Sequence, residues 1–235
     1  MKPNCVLEVE NLSVSFGDLR VLDSVSFAVE RGSALAIIGP NGAGKSVLLR
    51  AIIGSLDHTG SVRWAPGTRI GFVPQKLDLD RDLPLTGNDL IRAKAHVHRA
   101  SIDEVARTIA MVGLGAAEMG RAIGAMSGGQ FQRLLIAMAL VGDPTVLLLD
   151  EPAAGVDAPG QAHLSELIDR LRADRAVTVV LISHDLSVVF SNATNVLCLG
   201  NRTAAAFGPP REVLTPSMLT ELYGTQMGLH VHSHD

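Results

Sequence analysis

Four short apolar runs constrain this chain more than any other feature: "ALAII" (34–38), "RIGFV" (69–73), "VLLL" (146–149) and "VTVVLIS" (177–183). Such runs suit strands of a parallel sheet that is covered on both faces by helices. Each is followed directly by a polar or glycine-rich element: Gly39 onward, Gln75, the Asp150–Glu151 pair, and His184. In an open α/β sheet, ligands sit outside the carboxyl ends of the strands. Four strands delivering reactive side chains at that end predict one shared site.

Composition agrees with this reading and narrows it. Hydrophobic residues make up 47% of the 235 residues and aromatics only 3%, so the core must be built from Ala, Val, Leu and Ile. The longest apolar runs, such as "LLIAMALVG" (134–142), fall well short of the ~20 residues that cross a bilayer. No secretory leader pattern opens the sequence, and the expected location is the cytosol. Cys5 and Cys198 offer no disulfide framework and no metal-binding pair, and read as reduced structural thiols. A net charge of −4 with interspersed signs argues against a nucleic-acid partner.

The opening "VLEVENLSVSF" and the following "SVSFAVERG" alternate like strands. Residues 77–144 have helical character. Thr86-x-x-Asp89 and Ser101-x-x-Glu104 read as capping boxes, and Ile102, Val105, Ile109 and Val112 keep a helical period up to a stop at Gly113. Near the end, "FGPPREV" reads as a turn and "PSMLTELYG" as a short helix.

The stretch "GPNGAGKS", Gly39–Pro40–Asn41–Gly42–Ala43–Gly44–Lys45–Ser46, fits G-x-x-x-x-G-K-[ST]. Its glycines let backbone N–H groups curl around phosphate oxygens. Lys45 would neutralise the β- and γ-phosphates of ATP, and Ser46 would hold Mg²⁺. The helix that starts near Gly44 turns its positive end to the same anion. By chance the pattern arises in about one chain of this length in a hundred, and here a strand precedes it and the amphipathic "SVLLRAII" follows. Downstream, Asp150 would support the Mg²⁺ shell and Glu151 would orient the attacking water. His184 could bond the γ-phosphate, and the Gln75 amide could reach Mg²⁺ or water.

"MSGGQFQR" (126–133) begins with a further capping box, Ser127-x-x-Gln130. Ser127, Gly128 and Gly129 also present hydroxyl and backbone donors at a helix N-terminus, a second anion site. The order "GPNGAGKS", "FVPQ", "MSGGQ", "VLLLDEP", "AGVD", "SHD" resembles the ATP-binding cassette family, the nucleotide-binding subunits of ABC transporters, over about residues 6–210. The resemblance implies an α/β fold: a P-loop NTPase (RecA-like) sheet domain with N-terminal antiparallel strands and an inserted helical subdomain. The core would comprise residues 1–76 and 145–210, the helical subdomain 77–144, and a short helix and tail 211–235. It also implies ATP and Mg²⁺ as cofactors. The "SGG" half-site with Gln130 would close over ATP held by a second copy, Asp157 would link the two sites, and Gln75 would sit where the helical lobe meets integral membrane permease subunits. Such a subunit is peripheral at the cytoplasmic face of the membrane.

Phe16 falls where the family stacks an aromatic ring on adenine, yet Leu12, Val14 and Phe16 share a strand face, so a core role stands beside the stacking one. Val47 and Met126 replace the family's threonine and leucine without removing a polar group that the chemistry uses. Within the family, "RIGFVPQKLDLDRDLPLT", "DEPAAGVDAPGQ" and the histidine-rich end are similar to ATPases of bacterial zinc uptake, with manganese and iron uptake as close neighbours. An extracytoplasmic metal-binding protein is then an indirect partner. The alternative is a soluble, non-transport cassette, against which stands the short segment between Gln75 and Ser127. The end "LHVHSHD" sets His230, His232 and His234 on one side of an extended tail, about 7 Å apart at Cα. Neutral imidazoles bind Zn²⁺ well, while a solvated terminus is the plain alternative. His96 and His98 read as surface residues.

Overall fold

In chain order the elements are β1 (Cys5–Phe16), β2 (Leu19–Glu30), β3 (Ala34–Ile38), α1 (Lys45–Ile52), β4 (Thr59–Trp64) and β5 (Ile70–Val73). Then follow α2 (Gly87–His98), α3 (Ile102–Met111), α4 (Ala116–Met119), a 3-10 turn at Ile123–Ala125 and α5 (Gly128–Leu140). The chain closes with β6 (Val146–Asp150), α6 (Ala158–Arg175), β7 (Thr178–Ile182), α7 (Leu186–Asn192), β8 (Asn195–Gly200), β9 (Thr203–Gly208), α8 (Pro210–Val213) and α9 (Pro216–Tyr223). The computed structural model describes residues 4–75, 77, 83–153 and 158–224.

The larger sheet runs β5-β6-β7-β3-β8-β9, parallel except for the antiparallel β8–β9 pair. Its first four members are the four apolar runs, side by side, so their carboxyl ends form one continuous edge. Alternate residues of these strands feed opposite faces. Leu35, Ile37, Leu148, Val180 and Ile182 pack with α1 and the smaller antiparallel sheet, β2-β1-β4. Ala36, Ile38, Leu147, Leu149, Val179 and Leu181 pack with the other helices. Full burial stabilises by about 1.5–3 kcal/mol for each large aliphatic side chain, which is why these runs show no polar alternation. Cys5 and Cys198 are both buried and free, and burial pushes the Cys198 thiol up to about 11.

Helix starts follow the local sequence with one exception. Thr86 and Ser127 each form the full reciprocal box, with Asp89 and Gln130. Ser101 caps only one way: its hydroxyl accepts from the Glu104 N–H at 3.1 Å, while the Glu104 carboxylate accepts from the Gly142 N–H at 2.8 Å. A part-buried tertiary donor outcompetes the local one. Ile102, first in the helical period of α3, is 87% exposed, and the helix buries Thr108 instead. The predicted turn at "FGPPREV" holds the single helical turn α8, begun by Pro210 at a position where a missing N–H costs nothing. His96 and His98 are exposed on α2. Among the described residues, no helix is long and apolar enough to cross a membrane.

Candidate active site

Gly39 ends β3 and opens the phosphate-type loop. Its backbone is at φ 151°, and a Cβ there would lie 2.2 Å from the Leu199 carbonyl oxygen. Gly44, at φ 91°, caps α1, and a Cβ would lie 2.8 Å from Leu22. Only glycine fits either position. The loop therefore lies close against β8 on one side and β2 on the other, with Asn41 and Gly42 exposed at its crest.

Lys45, the first residue of α1, is 7% exposed. Its ammonium donates to the Gly39 carbonyl at 2.8 Å and the Pro40 carbonyl at 3.0 Å. Burial holds its pKa below the ordinary lysine value, against the opposing pull of Glu151 and Asp150. The Ser46 hydroxyl donates to Asp150 Oδ1 at 3.1 Å, and burial raises the Asp150 carboxyl above its ordinary value. Two oxygen ligands side by side, on a carboxylate that lacks a cation partner strong enough to offset burial, fit a hard divalent ion.

Glu151 follows β6 at φ 49°, in the left-handed region that a non-glycine residue occupies at a cost of about 1–3 kcal/mol. Its N–H still donates to the Ile182 carbonyl at 3.2 Å. The twist brings its side chain across the sheet edge, where Gln75 Nε2 donates to Glu151 Oε2 at 2.7 Å. His184 Nδ1 lies 3.9 Å from the same oxygen. One cleft of about 650 Å³ is lined by Val21, Asn41, Gly42, Gly44, Lys45, Ser46, Val47, Gln75, Glu151 and His184. Nine of these ten are residues that the sequence motifs assign to the site, and Val21 is the addition.

Four likenesses to known proteins accompany this geometry. Residues 22–154 match the family model described as ABC transporter. The zinc import ATP-binding protein ZnuC of Yersinia enterocolitica is 38% identical over 98% of this chain and 91% of its own. The chain belongs to the ABC transporter family. The corresponding protein of Photorhabdus laumondii is 37% identical over 98% of this chain and 90% of its own. A transporter described as of the metal-chelate type, solved in an inward-facing conformation, superposes with a TM-score of 0.84 at 28% identity, over 94% of this chain and 89% of that one.

Other predicted site residues of the cassette sit outside the cleft. Ser127 and Gly128 are exposed at the head of α5. The Ser127 hydroxyl accepts from the Gln130 N–H at 3.2 Å, and Gln130 Oε1 accepts from the Ser127 N–H at 3.0 Å. Gln130 Nε2 donates to Glu118 at 3.1 Å, so its amide is committed within its own chain. Met126 is buried. Phe16 is 50% exposed at the end of β1, paired across the hairpin with Leu19; that exposure removes the core reading of the ring. Asp157, His230, His232 and His234 lie outside the described residues. Among the described residues, no group of three or more His, Cys, Asp or Glu side chains could hold a metal ion. A contact that sequence reasoning missed is the Gly39 N–H, which donates to the Tyr223 hydroxyl at 3.2 Å.

Proposed function

We propose that this cassette hydrolyses ATP to power a divalent-metal importer, with zinc as the cargo, working as a pair of copies beneath membrane permease subunits at the cytoplasmic face. The observation that carries the hydrolytic part is the convergence of Lys45, Ser46, Gln75, Glu151 and His184 on one cleft at the shared sheet edge, with Asp150 hydrogen-bonded to Ser46 behind it. The zinc-import relatives support the choice of cargo, and the permease and an extracytoplasmic binding protein are the partners such a system implies.

In this reading, backbone N–H groups from Asn41 to Val47 cradle the phosphates, and Lys45 exchanges its two loop carbonyls for phosphate oxygens. Ser46, Gln75 and Asp150 would hold Mg²⁺, which supplies charge neutralisation on the phosphates. The Glu151 carboxylate accepts a hydrogen bond from the attacking water and orients it in line with the γ-phosphate. His184 donates to a γ-phosphate oxygen. The products are ADP and inorganic phosphate, and the bond broken is that between the γ-phosphorus and the bridging oxygen.

Ser127 and Gly128 face solvent, with Gly129 part-buried beside them, and none of the three lines their own cleft. A partner copy supplies the second wall of each nucleotide site, Gln130 keeps Ser127 in place, and Asp157 links the two sites. Residues 77–144 act as the helical lobe inserted in the core of 1–76 and 145–210, and meet the permease beside Gln75.

Phe16 stacks on adenine. Base–aromatic stacking contributes about 1–3 kcal/mol, so Phe16→Ala should raise the KM for ATP at least about fivefold, far more than it lowers kcat. A steady-state titration reads this directly, and an unchanged KM removes the stacking role. The tail histidines bind zinc on the cytosolic side and adjust turnover to it. Removing residues 230–235 should abolish the zinc dependence of ATP hydrolysis, while identical zinc titrations of full-length and shortened protein would end that idea.

Uptake of radioactive zinc by cells lacking the gene tests the whole reading. Uptake should fall and return with the wild-type gene but not with Glu151→Gln. Loss of manganese or iron uptake with intact zinc uptake would instead favour the neighbouring cargoes.

A further inference from the structure

Gly39 is the hinge between a buried strand and the phosphate loop, and its backbone is held on both sides of the Cα. The β3–β8 ladder ends at the Ile38–Cys198 pair, so the Gly39 N–H has left the sheet while the residue itself is still buried. A buried backbone N–H needs a partner, and the Tyr223 hydroxyl provides it at 3.2 Å. The Gly39 carbonyl accepts from Lys45 at 2.8 Å, and the Cα rests on the Leu199 carbonyl. One residue thus joins the last residue of α9, through its N–H, to the ammonium that would meet the phosphates, through its carbonyl.

Helix α9 is built to place that hydroxyl. Thr215 caps it by accepting from the Met218 N–H at 3.2 Å, and Pro216 begins it. Leu219 and Leu222 are buried in the same apolar cluster as Cys198 of β8. The Leu222 side chain also fills the space that a Cβ on Gly200 would take, 3.1 Å away. Burial raises the Tyr223 phenol above its ordinary pKa, so the group stays protonated across the physiological range.

We propose that Tyr223 is a positioning residue for nucleotide binding: its hydroxyl fixes the Gly39 peptide, so that the docking of α9 on β8 sets how fully the loop is held in its phosphate-binding shape. The proposal rests on the nucleotide reading above. A ligand's apparent affinity falls in proportion to the fraction of protein in the competent conformation. If losing the bond leaves roughly a fifth of the loops in that shape, ATP affinity drops about fivefold.

Two measurements on the full chain test it. Tyr223→Phe removes the hydroxyl and keeps the ring, and should raise both the Kd and the KM for ATP about fivefold, with a smaller change in kcat. A merely structural hydroxyl would lower the melting midpoint while leaving ATP affinity as it was, and that outcome overturns the proposal. The second measurement needs no variant. Tyr223 is the chain's single tyrosine, so tyrosine isotope-labelled at Cζ gives one resonance, which should shift on adding ATP with the midpoint of ATP binding. A resonance that stays fixed while calorimetry records ATP binding overturns the Tyr223 role and leaves the nucleotide site standing. Wild-type protein that binds no ATP overturns both.

Discussion

Replacing Glu151 with glutamine should lower ATP turnover by at least about a hundredfold, the range expected when a group that positions or polarises the attacking nucleophile is lost. ATP affinity should stay close to that of the wild type, because the phosphate loop is untouched and a glutamine amide can keep a contact with Gln75. The effect is this large because Glu151 is held in a backbone conformation that disfavours it, at φ 49°. That strain aims its carboxylate at Gln75 and His184 rather than at bulk water. A single-turnover assay with ATP and Mg²⁺ separates hydrolysis from binding. Wild-type turnover in this variant would show that some other group orients the water.

Lys45→Ala should weaken ATP binding by roughly 10–100-fold, the equivalent of hydrogen bonds to a charged group worth about 1.5–3 kcal/mol. Lys45 is buried with its pKa held down, so the ammonium sits in a site that disfavours its charge until an anion compensates it. Loss of Lys45 also leaves the Gly39 and Pro40 carbonyls without their shared donor. Calorimetric titration with ATP reads the affinity, and normal binding would contradict the cradle assignment.

Much of this site was legible because its chemistry is local to strand ends. "ALAII" and "VLLL" are apolar throughout since both faces of each strand are covered, "RIGFV" and "VTVVLIS" add only Arg69, Thr178 and Ser183, and Gly39, Gln75, Asp150, Glu151 and His184 each stand within two residues of a strand end. The full boxes at Thr86 and Ser127 were visible for the same reason: donor and acceptor are three residues apart. Contacts between distant residues were not. Nothing around Tyr223 announces a partner 184 positions earlier, and Val21 reaches the cleft only because β2 passes beside Gly44. Glu104 looked like the second half of a box until Gly142, 38 residues on, offered it a better donor.

Phe16 shows why strand periodicity stops short of an answer. Leu12 and Val14 are buried as the alternation predicts, yet Phe16 is 50% exposed. The β1–β2 register shifts between Leu12 and Val14 and again between Val14 and Ser15, and the last strand residue runs past the layer that covers the others. Irregular pairing of this kind re-aims side chains. Here it turns an aromatic ring from the core to the rim.

In the proposed cycle the nucleotide is shared between two copies, because the exposed Ser127 and Gly128 stand apart from the cleft of their own chain. Light scattering on Glu151→Gln with ATP and Mg²⁺ measures this most directly. The predicted result is the mass of two chains, returning to one when ATP is washed out. A mass of one chain at saturating ATP would contradict it.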